Sequence, residues 1–215
     1  MDNQIVIEVW GDFACFTRPE SKVERLSYPV PTPSAARGIL SAIYSKPNEF
    51  YWQVNKIEIL NPIKYISFMR NEVKCNVSDK PILVEDNRTQ RQSIILKDVR
   101  YRIYATIVKQ ESYKGTLASL NEQALRRIRH GKCYFQPSFG CREFAAYFEE
   151  SDRAREPFDE NIDLGLMLYD VFDLYKFEVT KKCEPFITVF RAELKHGILE
   201  IPDFDSGKVL KPEVV

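Results

Sequence analysis

Apolar and polar residues alternate most regularly in "VRYRIYATIV", Val99 to Val108. Val99, Tyr101, Ile103, Ala105 and Ile107 share one side, and Arg100, Arg102 and Tyr104 the other. That period of two predicts a strand. "IVIEVW", Ile5 to Trp10, predicts an earlier strand, and Gly11-Asp12 a bend after it. The spacing then changes. Ala36, Ile39, Leu40 and Ile43 fall on one helical face. Thr32-Pro33 supplies an N-cap and a proline at the first helical position, and Pro47 ends the segment. Trp52 to Leu60 and Ile63 to Met69 read as strands joined at the Asn61-Pro62 turn. Residues 71–93 are polar and aperiodic, which predicts an extended loop or hairpin.

A second helix is expected from Thr116 or Ser119 to His130, with Leu117, Leu120, Ala124 and Ile128 as its buried stripe. Ser119 and Glu122 have the spacing of a capping box, and Gly131 suits the position after the last turn. Beyond it, aromatic and β-branched residues dominate, which predicts strands and hairpins. The order β-α-β-β-(loop)-β-α is that of an α+β, ferredoxin-like unit. We expect residues 1–132 to form it, with the polar insertion at 71–93, and residues 133–215 to form an antiparallel β appendage packed on it.

The 215 residues suffice for a sizeable core, and 44% hydrophobic with 29% charged residues is ordinary for a soluble domain. No apolar run reaches the length of a membrane helix, and "MDNQIVIEVW" does not resemble a secretory leader. Five widely spaced cysteines without a C-x-x-C pair suggest reduced thiols and a cytoplasmic location. The net charge of zero conceals a division: eleven Lys/Arg against three Asp/Glu from Arg88 to Lys132, then eleven acids against five bases from Glu149 to Glu184. Such a division fits a polyanion-facing side, although charge runs often mark only a solvated face.

Phosphate-binding glycine loops and nucleophile elbows are missing, and two histidines exclude a His-rich metal site. No metal and no cofactor are expected. RNA, however, carries its own nucleophile. A site need only align the 2′-OH, take its proton, stabilise the phosphorane and protonate the leaving 5′-oxygen. A tyrosine, a lysine and a histidine suffice. Tyr44, closing the first helix in "SYPVPTPSAARGILSAIYSKP", lies at the edge of the apolar face. It is either a half-buried core aromatic or a phenol with its hydroxyl kept outside.

The blocks "VWGDFACFTRPESKVERLSYPVPTPSAARGILSAIYSKP", "RQSIILKDVRY", "FQPSFGCREFAAYF" and "DLGLMLYD" together resemble the CRISPR-associated "Cas five" proteins of subtype I-C, in the RAMP superfamily. The resemblance implies a Cascade subunit of antiviral defence that binds CRISPR repeat RNA, cuts the precursor without metal and keeps the 5′ handle. It also implies docking to the large and backbone subunits, with DNA as a secondary ligand. The alternative is a non-catalytic RNA-binding and assembly subunit.

In the family, cleavage is attributed to a tyrosine at the end of the first helix and a Lys-His pair ahead of the second. Tyr44 matches the tyrosine. The Lys-His position falls on Ser119-Leu120, a departure that puts cutting in doubt. The nearest substitutes are Lys114, or Lys132 with His130. Arg18, Lys22, Arg25, Arg37, Arg126, Arg127, Arg129 and Arg142 are candidate phosphate contacts. Phe16, Tyr28, Phe135 and Phe139 are candidate platforms for unpaired bases, with core packing as the alternative for each.

Overall fold

The computed structural model describes residues 3–21, 23–75, 81–175 and 186–212. Strand β1 (Gln4–Ala14) leads through the two-residue β2 (Arg25–Leu26) into helix α1 (Pro33–Ile43). Strands β3 (Phe50–Ile59) and β4 (Tyr65–Val73) and the short helix α2 (Val84–Asn87) follow. The long β5 (Arg88–Lys109), helix α3 (Leu117–Arg129) and β6 (Tyr147–Glu150) complete the central part. Then come β7 (Ile162–Asp170), β8 (Thr188–Lys195), β9 (Ile198–Glu200) and β10 (Val209–Leu210). The result is a mostly antiparallel sheet with few helices.

The helix ends follow from local chemistry. Thr32 Oγ1 accepts the Ala35 amide at 3.1 Å, and Pro33 occupies the first turn, where no amide donor is needed. At α3 the cap is Thr116, whose Oγ1 accepts the Ser119 amide at 3.3 Å. The Ser119–Glu122 spacing therefore lies inside the first turn and does not start the helix. Gly131, at φ +60°, ends it in the left-handed conformation that glycine adopts without strain. Leu120, Ala124 and Ile128 are buried as the period required.

Pairing along the sheet runs β10-β8-β9-β3-β5-β1-β6. Strands β1, β3 and β6 are antiparallel to their neighbours, with α1 crossing between β1 and β3 and α3 between β5 and β6. β5 organises the sheet. Its second half pairs with β3 and its first half with β4, so β3 and β4 share a partner and do not form a hairpin with each other. Between the halves, Asp98 takes φ 54°, and Leu60 to Lys64 turn the corner there, with the Asn61 amide bonded to the Asp98 carbonyl at 2.8 Å. The loop or hairpin expected at 71–93 is in its described part a hairpin: the end of β4 pairs antiparallel with the start of β5, Asn71 with Gln90 and Val73 with Arg88, and α2 lies between them.

Helices α1 and α3 touch each other and cover one face, over a core that includes Ile7, Ile39, Leu40, Ile57, Ile103 and Leu120. The sheet also carries a buried charged cluster. The β1–β5 and β3–β5 registers set Glu8 and Glu58 on either side of Arg102. Its guanidinium donates to Glu8 at 2.9 Å and to Glu58 at 2.7 Å. After β6 the chain returns to β3 through β9, where residues 198–200 pair with residues 56–58. No helix among the described residues is long and apolar enough to cross a membrane.

Candidate RNA-processing site

Tyr44 caps the C-terminus of α1: its amide donates to the Leu40 carbonyl at 2.8 Å, and its own carbonyl accepts from the Trp52 indole at 2.7 Å. Its ring lies 5.1 Å from that of Phe50, and the residue is 2% exposed. It is thus more deeply set than its edge position on the helical wheel suggested, because β3 and the segment after α3 close over the helix end. Its hydroxyl makes no hydrogen bond among the described residues. Burial raises the phenol above its ordinary range, with Lys46 pulling the other way. Tyr44 is therefore a neutral phenol near pH 7, and its burial matches the core-aromatic alternative for the helix end.

Two segments border this phenol. Tyr113, in the turn before α3, and Tyr134, just beyond it, join Lys46 and Glu49 as its strongest electrostatic neighbours. The Tyr134 amide donates to the Ala42 carbonyl at 2.7 Å, which ties the post-helix segment to the end of α1. Arg127 reinforces the junction: its Nε donates to the Ile43 carbonyl at 2.6 Å, and its guanidinium sits 4.2 Å from the Tyr134 ring centre. Lys114 follows Tyr113 directly, and Lys132 and His130 precede Tyr134; all three side chains are exposed. Their segments therefore adjoin Tyr44, although none of the three is among the charges that act most strongly on it. Lys46, Tyr113 and Tyr134 were not singled out from the sequence. Only Lys46, two residues past Tyr44, was near enough in the chain to be suspected.

The phosphate-contact candidates divide by partner. Arg37 is held by Asp170 through two bonds of 2.7 and 2.8 Å. Arg129 meets both oxygens of Glu150, at 2.7 and 2.9 Å, and Arg25 lies between Cys141, Glu143 and Glu72. Arg18 stands 4.8 Å from the Tyr28 ring and 3.7 Å from Glu20. Arg126 donates to the Gln123 side chain, and Arg142 is exposed with no ion pair among the described residues. Lys22 lies outside the described residues. The basic middle and the acidic later third interleave, as Arg100–Glu149 and Arg129–Glu150 also show, so the linear charge division does not survive folding intact. Phe16, Tyr28 and Phe139 are core residues and cannot stack on a base; Phe135, 64% exposed, can.

The sequence profile of a family described as CRISPR-associated protein (Cas_Cas5) matches residues 4–202. A CRISPR pre-crRNA endoribonuclease Cas5d of Thermus thermophilus is 42% identical over 210 residues, 93% of this chain and 91% of that protein. A protein of the same name from Mannheimia succiniciproducens is 39% identical over 97% of this chain and 99% of its own length. A crystal structure titled as a CRISPR-associated protein superposes with a TM-score of 0.69 at 23% identity, covering 96% of each chain, a likeness of fold.

Proposed function

The chain belongs to the Cas5 family of CRISPR-associated proteins, and from that premise we propose that it is the subtype I-C Cascade subunit that cuts precursor CRISPR RNA and retains the 5′ handle. The full-length likeness to two pre-crRNA endoribonucleases is the observation that carries this reading. The antiparallel strand order β6-β1-β5-β3, with helices in the two crossovers, supports a ferredoxin-like domain spanning residues 1–132 and completed by β6 from the 133–215 region. The protein works in the cytoplasm beside the large and backbone subunits, with DNA as a secondary ligand.

Cleavage proceeds by attack of the 2′-OH on the adjacent phosphorus, releasing the 5′-oxygen and leaving a 2′,3′-cyclic phosphate. The neutral Tyr44 phenol orients the nucleophile, whose proton passes to solvent water as the oxygen–phosphorus bond forms. Lys114 or Lys132 faces the phosphorane charge, and His130 gives its proton to the leaving oxygen. No metal takes part. Recognition rests on phosphate contacts by Arg18, Lys22, Arg25, Arg126, Arg127, Arg129 and Arg142, of which Arg126 and Arg142 are exposed and carry no ion pair among the described residues; Arg37, held by Asp170, is not among them.

One observation favours the non-catalytic alternative. Leu120, where the family's histidine would stand, is 1% exposed in the core stripe of α3. Incubating the purified protein with an end-labelled repeat transcript separates the two readings. A discrete product supports the nuclease; a gel shift with intact RNA supports the binder. If neither appears, both fall.

A further inference from the structure

A cleft of about 470 Å³ runs along the open side of α1, from Thr32 to Ser45, and ends beside Phe50, the ring packed on Tyr44. Its chemistry differs from that of a phosphate site. Arg37 is the only charged residue lining it among the described residues, and Asp170 neutralises that guanidinium from the side. Ser34, Ser41, Ser45 and Ser138 add hydroxyls, which both donate and accept, to a lining that is otherwise mostly apolar and aromatic. Two aromatic residues reach the rim, Phe135 at 64% and Phe172 at 45% exposed, and the Arg37 guanidinium lies 5.7 Å from the Phe172 ring centre. Aromatic walls, hydroxyl groups and near-neutrality suit the planar, uncharged part of a nucleotide, its base.

Gly38 gives an independent pointer. It sits in the middle of α1, where glycine is a poor helix former, and it lines this cleft. A Cβ added there would meet nothing within 4 Å, so neither packing nor backbone conformation calls for glycine. A side chain at that position would project into the space a ligand would fill.

We propose that the α1 cleft is a subsite for one unpaired nucleobase of the bound RNA, stacked at Phe135 and Phe172 and read at its edge by the serine hydroxyls. The inference rests on the RNA-processing reading above and adds the feature that positions the strand: a base held here carries its flanking phosphates to the α1 end, beside Tyr44.

The test uses the repeat transcript of the protein's own host, prepared with single 2-aminopurine replacements at each unpaired position, and the full-length variants Gly38→Leu, Gly38→Ala and Phe135→Ala. One position should change its fluorescence on binding to the wild type, and that change should vanish in Gly38→Leu and Phe135→Ala. Their affinity should fall about tenfold, the loss of one stacked base. Gly38→Ala should melt at or above the wild-type temperature yet bind more weakly, which covers the case of an unfolded leucine variant. If the variants bind as tightly as the wild type, or no position responds, the subsite is refuted while RNA recognition stands. If the wild type itself does not bind the transcript, the RNA reading fails and takes the subsite with it.

Discussion

Replacing Tyr44 with phenylalanine removes one oxygen and little else, which makes it the most discriminating single substitution. The ring stays packed on Phe50, and the backbone bonds to Leu40 and Trp52 are untouched. Because the hydroxyl has no hydrogen-bond partner among the described residues, its loss strands no donor or acceptor, and stability should change by less than about 0.5 kcal/mol. Tyr44→Ala, by contrast, would empty a buried site at a cost of roughly 3–5 kcal/mol. Catalytically the oxygen should matter far more. A preorganised hydrogen-bonding group at the reacting centre contributes on the order of 10²–10³-fold. Since burial keeps the phenol protonated through neutral pH, Tyr44→Phe should lower the cleavage rate without altering the shape of its pH profile between pH 6 and 8. The assay is single-turnover cleavage of a labelled repeat hairpin, read beside a thermal melt and a binding titration. Cleavage at the wild-type rate would refute the assignment. So would a stability loss as large as that of Tyr44→Ala, which would make the hydroxyl structural.

The buried Glu8–Arg102–Glu58 cluster carries two further expectations. Burial raises both carboxyls, but the bonds from Arg102 and Arg100 at Glu8, and from Lys56 and Arg102 at Glu58, outweigh it and hold both below the ordinary range. Their stabilisation is therefore complete above the unfolded value of about 4.3 and is lost as pH falls through the folded values, so melting temperature should drop on acidification below that point; a flat acid limb would contradict it. Arg102→Ala leaves two carboxylates buried without their shared cation and should cost about 3–5 kcal/mol in a denaturant titration, with Arg102→Lys recovering part; a loss within about 0.5 kcal/mol, the scatter of surface changes, would show that the cluster is solvated.

Local features of the fold were legible in the chain. Thr32-Pro33, Gly131 and the alternation of Val99 to Val108 each act within a few residues, and each appears where its chemistry requires. Features that depend on distant partners were not. Nothing near Ile63 says that its strand will join β5 in place of β3. Arg37 looked available until Asp170, 133 residues on, closed over it. Four aromatics looked equivalent as stacking platforms, yet three are in the core and only Phe135 is exposed, a distinction set by packing around the Gly140 turn and β1. Tyr44 was placed correctly at the helix end, whereas its burial depends on Phe50, Tyr134 and Arg127, which the helical wheel of α1 does not include. Phe172 is one of two aromatics in "DVFDLY", with nothing local to mark it, and the cleft gives it a place.

Attack by the substrate's own 2′-hydroxyl, without metal, dictates the chemistry of the product ends. The most direct measurement is the chemical identity of the 5′ fragment after incubating the purified protein with a repeat transcript in excess EDTA. A single fragment ending in a 2′,3′-cyclic phosphate, formed at the same rate without chelator and abolished by a 2′-deoxy substitution at the scissile nucleotide, is the predicted result. A product ending in a 3′-hydroxyl, or cleavage that stops on chelation, would contradict it.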